Sequence, residues 1–374
     1  MNQPKVLAFY LPQFHRVEEN DRWWGEGFTE WNNVRQGRPL YEGHYQPRVP
    51  ADENYYNLLD TRTLEWQATL ARQYGVYGFC FYHYWFNGHK LLEKPMELLL
   101  QNRDIDIRYC VSWANENWTN GWVSDDSDIL ISHDNSDEAD WDRHFDYLSQ
   151  FFEDERYVRV DGRPLVIIYH PSILQGIDRM LSRWRALAIE RGYSGLEIVY
   201  QLGMDHFDPS LDHSVFDGGI EFEPNFSAVE SQSVSSRTTD RLKGVFSNHL
   251  KLKFGINLSK MVRRRLSFRN YDEVWQSILE RVPDTEQKMY PGGFVDWDNT
   301  ARKGSRGSVI RGASPEKFGR YMAILLRRAQ TIYRKEFVFL FAWNEWGEGG
   351  YLEPDERYGA AYLEELRRAL RSLD

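Results

Sequence analysis

Only two cysteines, Cys80 and Cys110, occur in 374 residues, and each falls inside an apolar run of strand character. That excludes a disulfide framework and paired-Cys metal spacing, and it makes a reducing cytoplasm the expected setting. No apolar run approaches the roughly 18 residues a membrane span needs. The start, Met1-Asn2-Gln3-Pro4-Lys5, leads straight into Val6–Leu11, too short for the core of a secretory signal, so an unexported, soluble protein is expected. Positive charge is in deficit: 46 Lys and Arg against 56 Asp and Glu give a net charge of −10, which argues against nucleic acid as a partner. Glycine is missing where a dinucleotide-binding turn would require it, since Leu11-Pro12-Gln13-Phe14-His15 follows the first apolar run. Gly-x-Ser-x-Gly and His-Glu-x-x-His are absent too, so no cofactor or metal is called for.

Aromatic residues are in excess, with 14 Trp, 22 Tyr and 21 Phe. Many sit in polar company, as in Trp23-Trp24, Trp31, Trp113 and Trp118, which suits the faces of sugar rings as well as a core. Eight runs read as strands: Val6–Leu11, Val76–Trp85, Arg108–Trp113, Pro164–Tyr169, Leu196–Leu202, Gly219–Glu223, Gly292–Trp297 and Glu336–Trp343. Amphipathic stretches alternate with them at Thr61–Tyr74, Leu91–Asn102, Glu138–Glu153, Ile173–Arg191, Tyr271–Arg281, Pro315–Arg334 and Glu356–Leu373. This alternation predicts an α/β fold with a parallel sheet, and eight strands are the number that closes a (β/α)8 TIM-type barrel. Residues 1–374 are expected to form a single catalytic barrel.

In such a barrel, chemistry gathers just beyond the strand ends. The residues there are Tyr10, Gln13 and His15; His83, Tyr84 and Trp85; Trp113, Asn115, Glu116, Asn117 and Trp118; Tyr169 and His170; Gln201; Glu221 and Glu223; Asp296, Trp297, Asp298 and Asn299; and Asn344, Glu345, Trp346 and Glu348. The last group carries the most information. Phe339-Leu340-Phe341-Ala342-Trp343 ends in Asn344-Glu345-Trp346-Gly347-Glu348, two carboxylates three residues apart among indoles. Work on a glycosidic bond needs such a pair, one carboxyl to protonate the leaving oxygen and another kept ionised for the opposite task. A substrate site of Tyr10, His15, Trp31, His83, Tyr84, Trp113, Asn115, Asn117, Trp118, His170, Glu221, Asp296, Trp297, Asn344 and Trp346 around Glu345 and Glu348 is therefore expected. Asp-x-Asp triplets at Asp104, Asp126 and Asp296 would suit a nucleotide-sugar transferase holding a divalent ion, although an acidic chain produces such triplets by chance.

Long loop insertions follow strands 1 and 6. The first, residues 16–57, is rich in Trp, Gly, Asn and Pro and is expected to shape a cleft. The second, about 225–270, is basic, with Lys251, Lys253, Lys260, Arg263, Arg264, Arg265 and Arg269 among apolar residues. Segment 251–269 has the composition of a solvated helical excursion, or of a surface meeting an anionic membrane or a diphosphate-bearing acceptor. An inner-membrane-face location is the corresponding expectation; the oligomeric state is left open.

The motifs Ala8–His15, Trp23–Trp31, Gly43-His44-Tyr45-Gln46-Pro47, Gly78–Phe86, Trp113–Thr119, Asp296–Arg302, Trp343–Glu348 and Leu352-Glu353-Pro354-Asp355 together resemble the WbsX-type family of polysaccharide-biosynthesis proteins. That family is related to glycoside hydrolase family 99, the endo-acting α-mannosidases and mannanases. The resemblance runs nearly end to end and implies a retaining reaction in surface-polysaccharide or O-antigen metabolism on an oligo- or polysaccharide. It implies Glu345 as base on the substrate's own 2-hydroxyl, giving a 1,2-anhydro sugar, and Glu348 as the acid that then activates water or an acceptor. It leaves three readings: hydrolysis or transfer by this pair, a nucleotide-sugar-dependent glycosyltransferase, or a non-catalytic glycan-binding barrel.

Overall fold

The computed structural model describes residues 3–119, 129–132, 134–231, 266–284 and 288–373. Eight parallel strands form its centre: β1 (Lys5–Tyr10), β2 (Val76–Phe86), β3 (Arg108–Trp113), β4 (Arg163–Ile168), β5 (Glu197–Leu202), β6 (Gly218–Glu221), β7 (Met289–Tyr290 and Gly292–Phe294) and β8 (Phe337–Phe341). β1 lies between β2 and β8, and pairing proceeds in chain order from β2 to β6.

β7 closes the ring in two halves. Met289–Tyr290 pairs with β6 and Gly292–Phe294 pairs with β8. Pro291, which has no N–H to give a ladder, sits at the break, and its carbonyl accepts from Phe339 N at 3.0 Å. Gly292 is needed there, because a Cβ would fall 1.7 Å from the Glu221 carbonyl oxygen. The alternating pattern in the sequence placed seven strands within a few residues. It missed the split in β7 because a proline's effect on pairing depends on which neighbour it meets.

The helices form the outer layer, and their ends follow from local chemistry. Thr61–Tyr74 starts at Asp60, whose carboxylate accepts from Arg62 N, and stops at left-handed Gly75. Pro315–Arg328 starts at Ser314 with Pro315 in its first turn. Their apolar faces (Leu64, Ala68 and Ala71; Phe318, Met322 and Leu325) are buried against the barrel. Each large side chain so enclosed contributes roughly 1.5–3 kcal/mol.

The period of two within strands decides what faces the centre. Phe9, Tyr82, Phe222 and Phe341 point inward and make an aromatic floor, with Phe9–Phe222 centroids 5.1 Å apart and Phe222–Phe341 5.7 Å. Tyr10, His83 and Trp85 point outward to the helices.

The first insertion packs across the strands' C-terminal ends, through helices Glu18–Trp24 and Glu30–Gln36. His44 and Gln46 bond the Asp298 carboxylate at 2.8 and 3.0 Å, and Arg48 pairs with Asp296 at 2.8 Å. Of the basic segment, Lys251, Lys253, Lys260, Arg263, Arg264 and Arg265 lie outside the described residues. Arg269 lies in Ser267–Asn270, a short strand paired with Ser308–Arg311. No helix among the described residues is long and apolar enough to cross a membrane.

Candidate active site

Beyond β8 the chain turns back on itself. Asn344–Glu345 pairs antiparallel with Gly350–Tyr351, and Trp346–Glu348 forms the single helical turn between them. The reversal puts Glu345 and Glu348 on one side, both lining a cavity of about 390 Å³ above the aromatic floor. Asn344 anchors the hairpin: its side-chain oxygen accepts from Leu11 N at 2.8 Å and its amide donates to Leu11 O at 3.0 Å.

Between the carboxylates lies a guanidinium. Arg302 reaches Glu345 at 3.1 Å through Nη2, Glu348 at 2.9 Å through Nη1, and Glu30 at 2.6 Å through Nε. Its position follows from the preceding residues: Asp298 Oδ1 accepts from Thr300 N and Thr300 Oγ1, starting the Thr300–Lys303 turn, while Oδ2 is held by the first insertion. Gly347 gives the pair its room, since a Cβ there would lie 1.9 Å from Glu30 Oε1 and 2.7 Å from Arg302 Nε.

Burial, aided by the charges of Glu348 and Glu30 and opposed by Arg302, pushes the Glu345 carboxyl up to about 8. Side-chain exposure is 5% for Glu345 and 21% for Glu348, so Glu348 stands nearer the open mouth. The rest of the lining is Tyr82, Tyr84, Ala114, Glu116, Asn117, Trp118, Thr119, Tyr169, Phe222, Asn225, Trp297, Lys303 and Phe341. Rings and amides of this kind offer flat apolar faces with hydrogen bonds at the edges, the complement of a pyranose.

Of the expected site residues, the structure brings together Tyr84, Asn117, Trp118, Trp297, Glu345 and Glu348. The others stand outside the lining. Tyr10 points outward and donates to Gln67 at 2.7 Å. His83 also points outward, its Nε2 2.9 Å from that of His144, and burial lowers it to about 3. Trp113 packs on His144 and Trp184. His15 is buried, and its burial lowers it to about 4. Trp31 donates to the Tyr56 carbonyl at 2.8 Å.

Asn115 clasps the His170 backbone through bonds of 2.6 and 2.8 Å, and the His170 ring spans Asp205 at 3.1 Å and Glu116 at 3.3 Å. Glu221 is closed into a cluster with Arg281, Asp296 holds Arg48, Asn344 braces the hairpin, and Trp346 stacks on Tyr351 at 3.7 Å. Among the described residues no group of three or more His, Cys, Asp or Glu is placed to hold a metal ion.

Glu116 and Tyr169, noted at the ends of their strands, join the lining, while sequence reasoning missed Glu30, Tyr82, Asn225, Arg302 and Lys303. For Tyr82 the signal was available: an inward Tyr84 implies an inward Tyr82 and an outward His83. For Glu30 and Arg302, 272 residues apart, there was none beyond their places in aromatic-rich motifs.

Among solved structures, the GH99 endo-alpha-mannosidase from Bacteroides thetaiotaomicron superposes with a TM-score of 0.55 at 11% identity, covering 98% of this chain and 96% of that one. A protein described as glycoside hydrolase-like gives a TM-score of 0.59 at 15% identity, covering 99% and 94%. At these identities the likeness is one of fold. In sequence, the uncharacterized protein WxcX of Xanthomonas campestris pv. campestris strain B100 is 36% identical over 371 residues, covering 98% of this chain and 49% of the relative. A second WxcX, from strain ATCC 33913, is likewise 36% identical over 368 residues. The chain thus spans about half the length of the curated relatives it matches. The family model described as Glycosyltransferase WbsX matches residues 6–366, nearly the whole described barrel and both carboxylates of the β8 hairpin, and the chain belongs to that family.

Proposed function

We propose that this barrel cleaves or transfers a glycosidic bond of a surface polysaccharide with retention of configuration, using Glu345 and Glu348. One observation carries the reading: two carboxylates on one turn share the Arg302 guanidinium at the wall of an aromatic cavity of about 390 Å³. Glu345 takes the proton of the sugar's 2-hydroxyl, which attacks the anomeric carbon to give a 1,2-anhydro sugar. Glu348 protonates the departing oxygen and then deprotonates the incoming water or acceptor hydroxyl. The greater exposure of Glu348 supports its meeting the acceptor. A carboxyl raised to about 8 gives, once ionised, a stronger base than an ordinary carboxylate.

The same burial favours a second reading, in which Glu345 holds its proton at neutral pH and serves as the acid. The two assignments have opposite pH signatures. With Glu345 as base, turnover rises with pH through about 8; with Glu345 as acid, it falls there. The family's description favours transfer over hydrolysis, and a cytoplasmic location belongs to the biosynthetic form of the proposal.

A product-resolved assay on glycan fragments, with and without nucleotide-sugar donors, tests the function. Cleavage or exchange of an α-linked fragment without a donor, with the product's anomeric configuration retained by NMR, is the expected result. Turnover that requires a nucleotide-sugar donor would establish the transferase reading instead. Binding of fragments that Glu348→Gln leaves untouched, with no turnover under any condition, would establish a glycan-binding barrel.

A further inference from the structure

Glu353, two residues beyond the hairpin, is 3% exposed. Its Oε1 accepts from Gln67 Nε2 at 2.6 Å; its Oε2 accepts from Tyr56 Oη at 2.9 Å and from Trp346 Nε1 at 2.7 Å. None of these donors carries a positive charge. A buried carboxylate held only by neutral donors is an expensive way to fill space, where an apolar side chain would serve the core better.

Its partners give it a purpose. Trp346 lies between Glu345 and Glu348 in the chain, and its indole is fixed by the Glu353 bond, by stacking on Tyr351 at 3.7 Å and by Trp31 at 5.6 Å. The Tyr56 hydroxyl that donates to Glu353 also accepts from Asn344 Nδ2 at 3.3 Å. Glu353 thereby reaches both neighbours of Glu345, Trp346 directly and Asn344 through Tyr56.

We propose that Glu353 is a positioning residue that fixes the Glu345–Glu348 turn through the Trp346 indole and the Tyr56 hydroxyl, so that the alignment of the reacting pair depends on the charge Glu353 carries. The inference rests on the reading of Glu345 and Glu348 as that pair. When ionised, Glu353 offers acceptors to all three donors. Protonation turns one oxygen into a donor, so either the Tyr56 hydroxyl must reverse to accept from it or one of the three bonds is lost, and in both cases the hold on the turn changes. Burial pushes Glu353 up to about 7, where this change falls in the working range. The titratable groups facing it are Tyr56 and, behind Gln67, Tyr10, and burial raises both hydroxyls further above that range.

The test uses the full chain with 15N-labelled indoles, Trp346 being assigned with Trp346→Phe. Its indole N–H resonance is expected to shift with a midpoint near 7 in the wild type and in Glu345→Gln, and to lose that midpoint in Glu353→Gln. Persistence of the midpoint in Glu353→Gln, or no movement from about pH 5.5 to about pH 8.5, overturns the proposal. With a substrate found by the assay above, Glu353→Gln and Tyr56→Phe are each expected to lower kcat about 10–100-fold with KM changed less than about twofold, the signature of misplacement rather than lost binding. Unchanged kcat, or a loss carried by KM, overturns it. Tyr56→Phe keeps the ring and serves if Glu353→Gln does not fold. If no substrate is turned over, the reading of the pair fails, while the resonance still decides whether Glu353 holds the turn.

Discussion

Two buried arginines in this molecule each gather three carboxylates. Arg302 holds Glu30, Glu345 and Glu348; Arg281 holds Glu221, Glu223 and Glu230. Both lie beyond barrel strands, yet only the first opens on the cavity. The difference comes from backbone geometry. Glu221, the last residue of β6, points away from the centre while Phe222 points in and joins the floor, and Glu223, in the turn that follows, reaches the same guanidinium. Glu345 and Glu348 are three apart on a tight reversal, which brings both to the inside. Arg281 is further enclosed by the Phe226 ring at 4.5 Å and by Ser227 Oγ at 2.9 Å, and the Tyr333 hydroxyl closes over Glu221. The same charges thus make a sealed strut in one place and a pair of carboxylates open to the cavity in the other.

The largest expected effects separate the two on activity. Glu345→Gln and Glu348→Gln should each lower turnover by about 10²–10⁴-fold with the fold intact by circular dichroism. Glu221→Gln should leave turnover within about threefold, because its carboxyl does not line the cavity. A comparable loss in Glu221→Gln would mean that the Arg281 cluster takes part in the reaction.

Stability should separate them in the opposite sense. Arg281→Met strands Glu221 and Glu223, whose side chains are 1% and 0% exposed, and should cost about 3–5 kcal/mol by denaturant melts. Arg302→Lys keeps a charge beside the more exposed Glu348 and should cost less than half of that, while lowering turnover through loss of the two-pronged guanidinium. Equal costs would show that the open cluster is as sealed in solution as the closed one.

A smaller effect is expected from the glycine under the open cluster. Gly347→Ala should push Glu30 off Arg302 and reduce turnover about 10–100-fold, checked by steady-state kinetics. Full activity would show that Glu30 can withdraw from the guanidinium without disturbing the pair.

How much of this was legible follows the range of the interactions. Strand and helix positions depend on local periodicity, and Thr61–Tyr74 emerged with its expected bounds because a capping Asp and a left-handed Gly mark both ends. The carboxylates after β8 were legible because they are adjacent in the chain. The wall around them was half legible: His83 and Tyr84 cannot both face the centre of one strand, and the period of two, applied strictly, would have exchanged His83 for Tyr82. Glu221 failed for the same reason, its neighbour Phe222 taking the inward position. Arg302 and Glu30 depend on a contact that exists only once the first insertion has folded over β7, and no local pattern encodes it.

The smallest effect concerns pH and stability. Unfolded Glu345 ionises near 4.5 and the folded residue near 8, so between these values the native state binds more protons and stability declines as pH rises. Below the interval both states are protonated and nothing is lost; above it the penalty is constant. Glu345→Gln removes the ionisation. The variant should match the wild type near pH 4.5 and exceed it by about 1–3 kcal/mol at pH 8, less than full linkage would give because Gln also forfeits the charged pairing with Arg302. For Glu221, which burial raises to about 7, Glu221→Gln should gain stability in the same direction as pH rises. Thermal melts of both variants across this range locate each transition, and coincident midpoints would show that the two clusters do not differ in how they hold a proton. Separate midpoints would mean that the carboxyl open to the cavity holds its proton differently from the sealed one, at its own cost in stability.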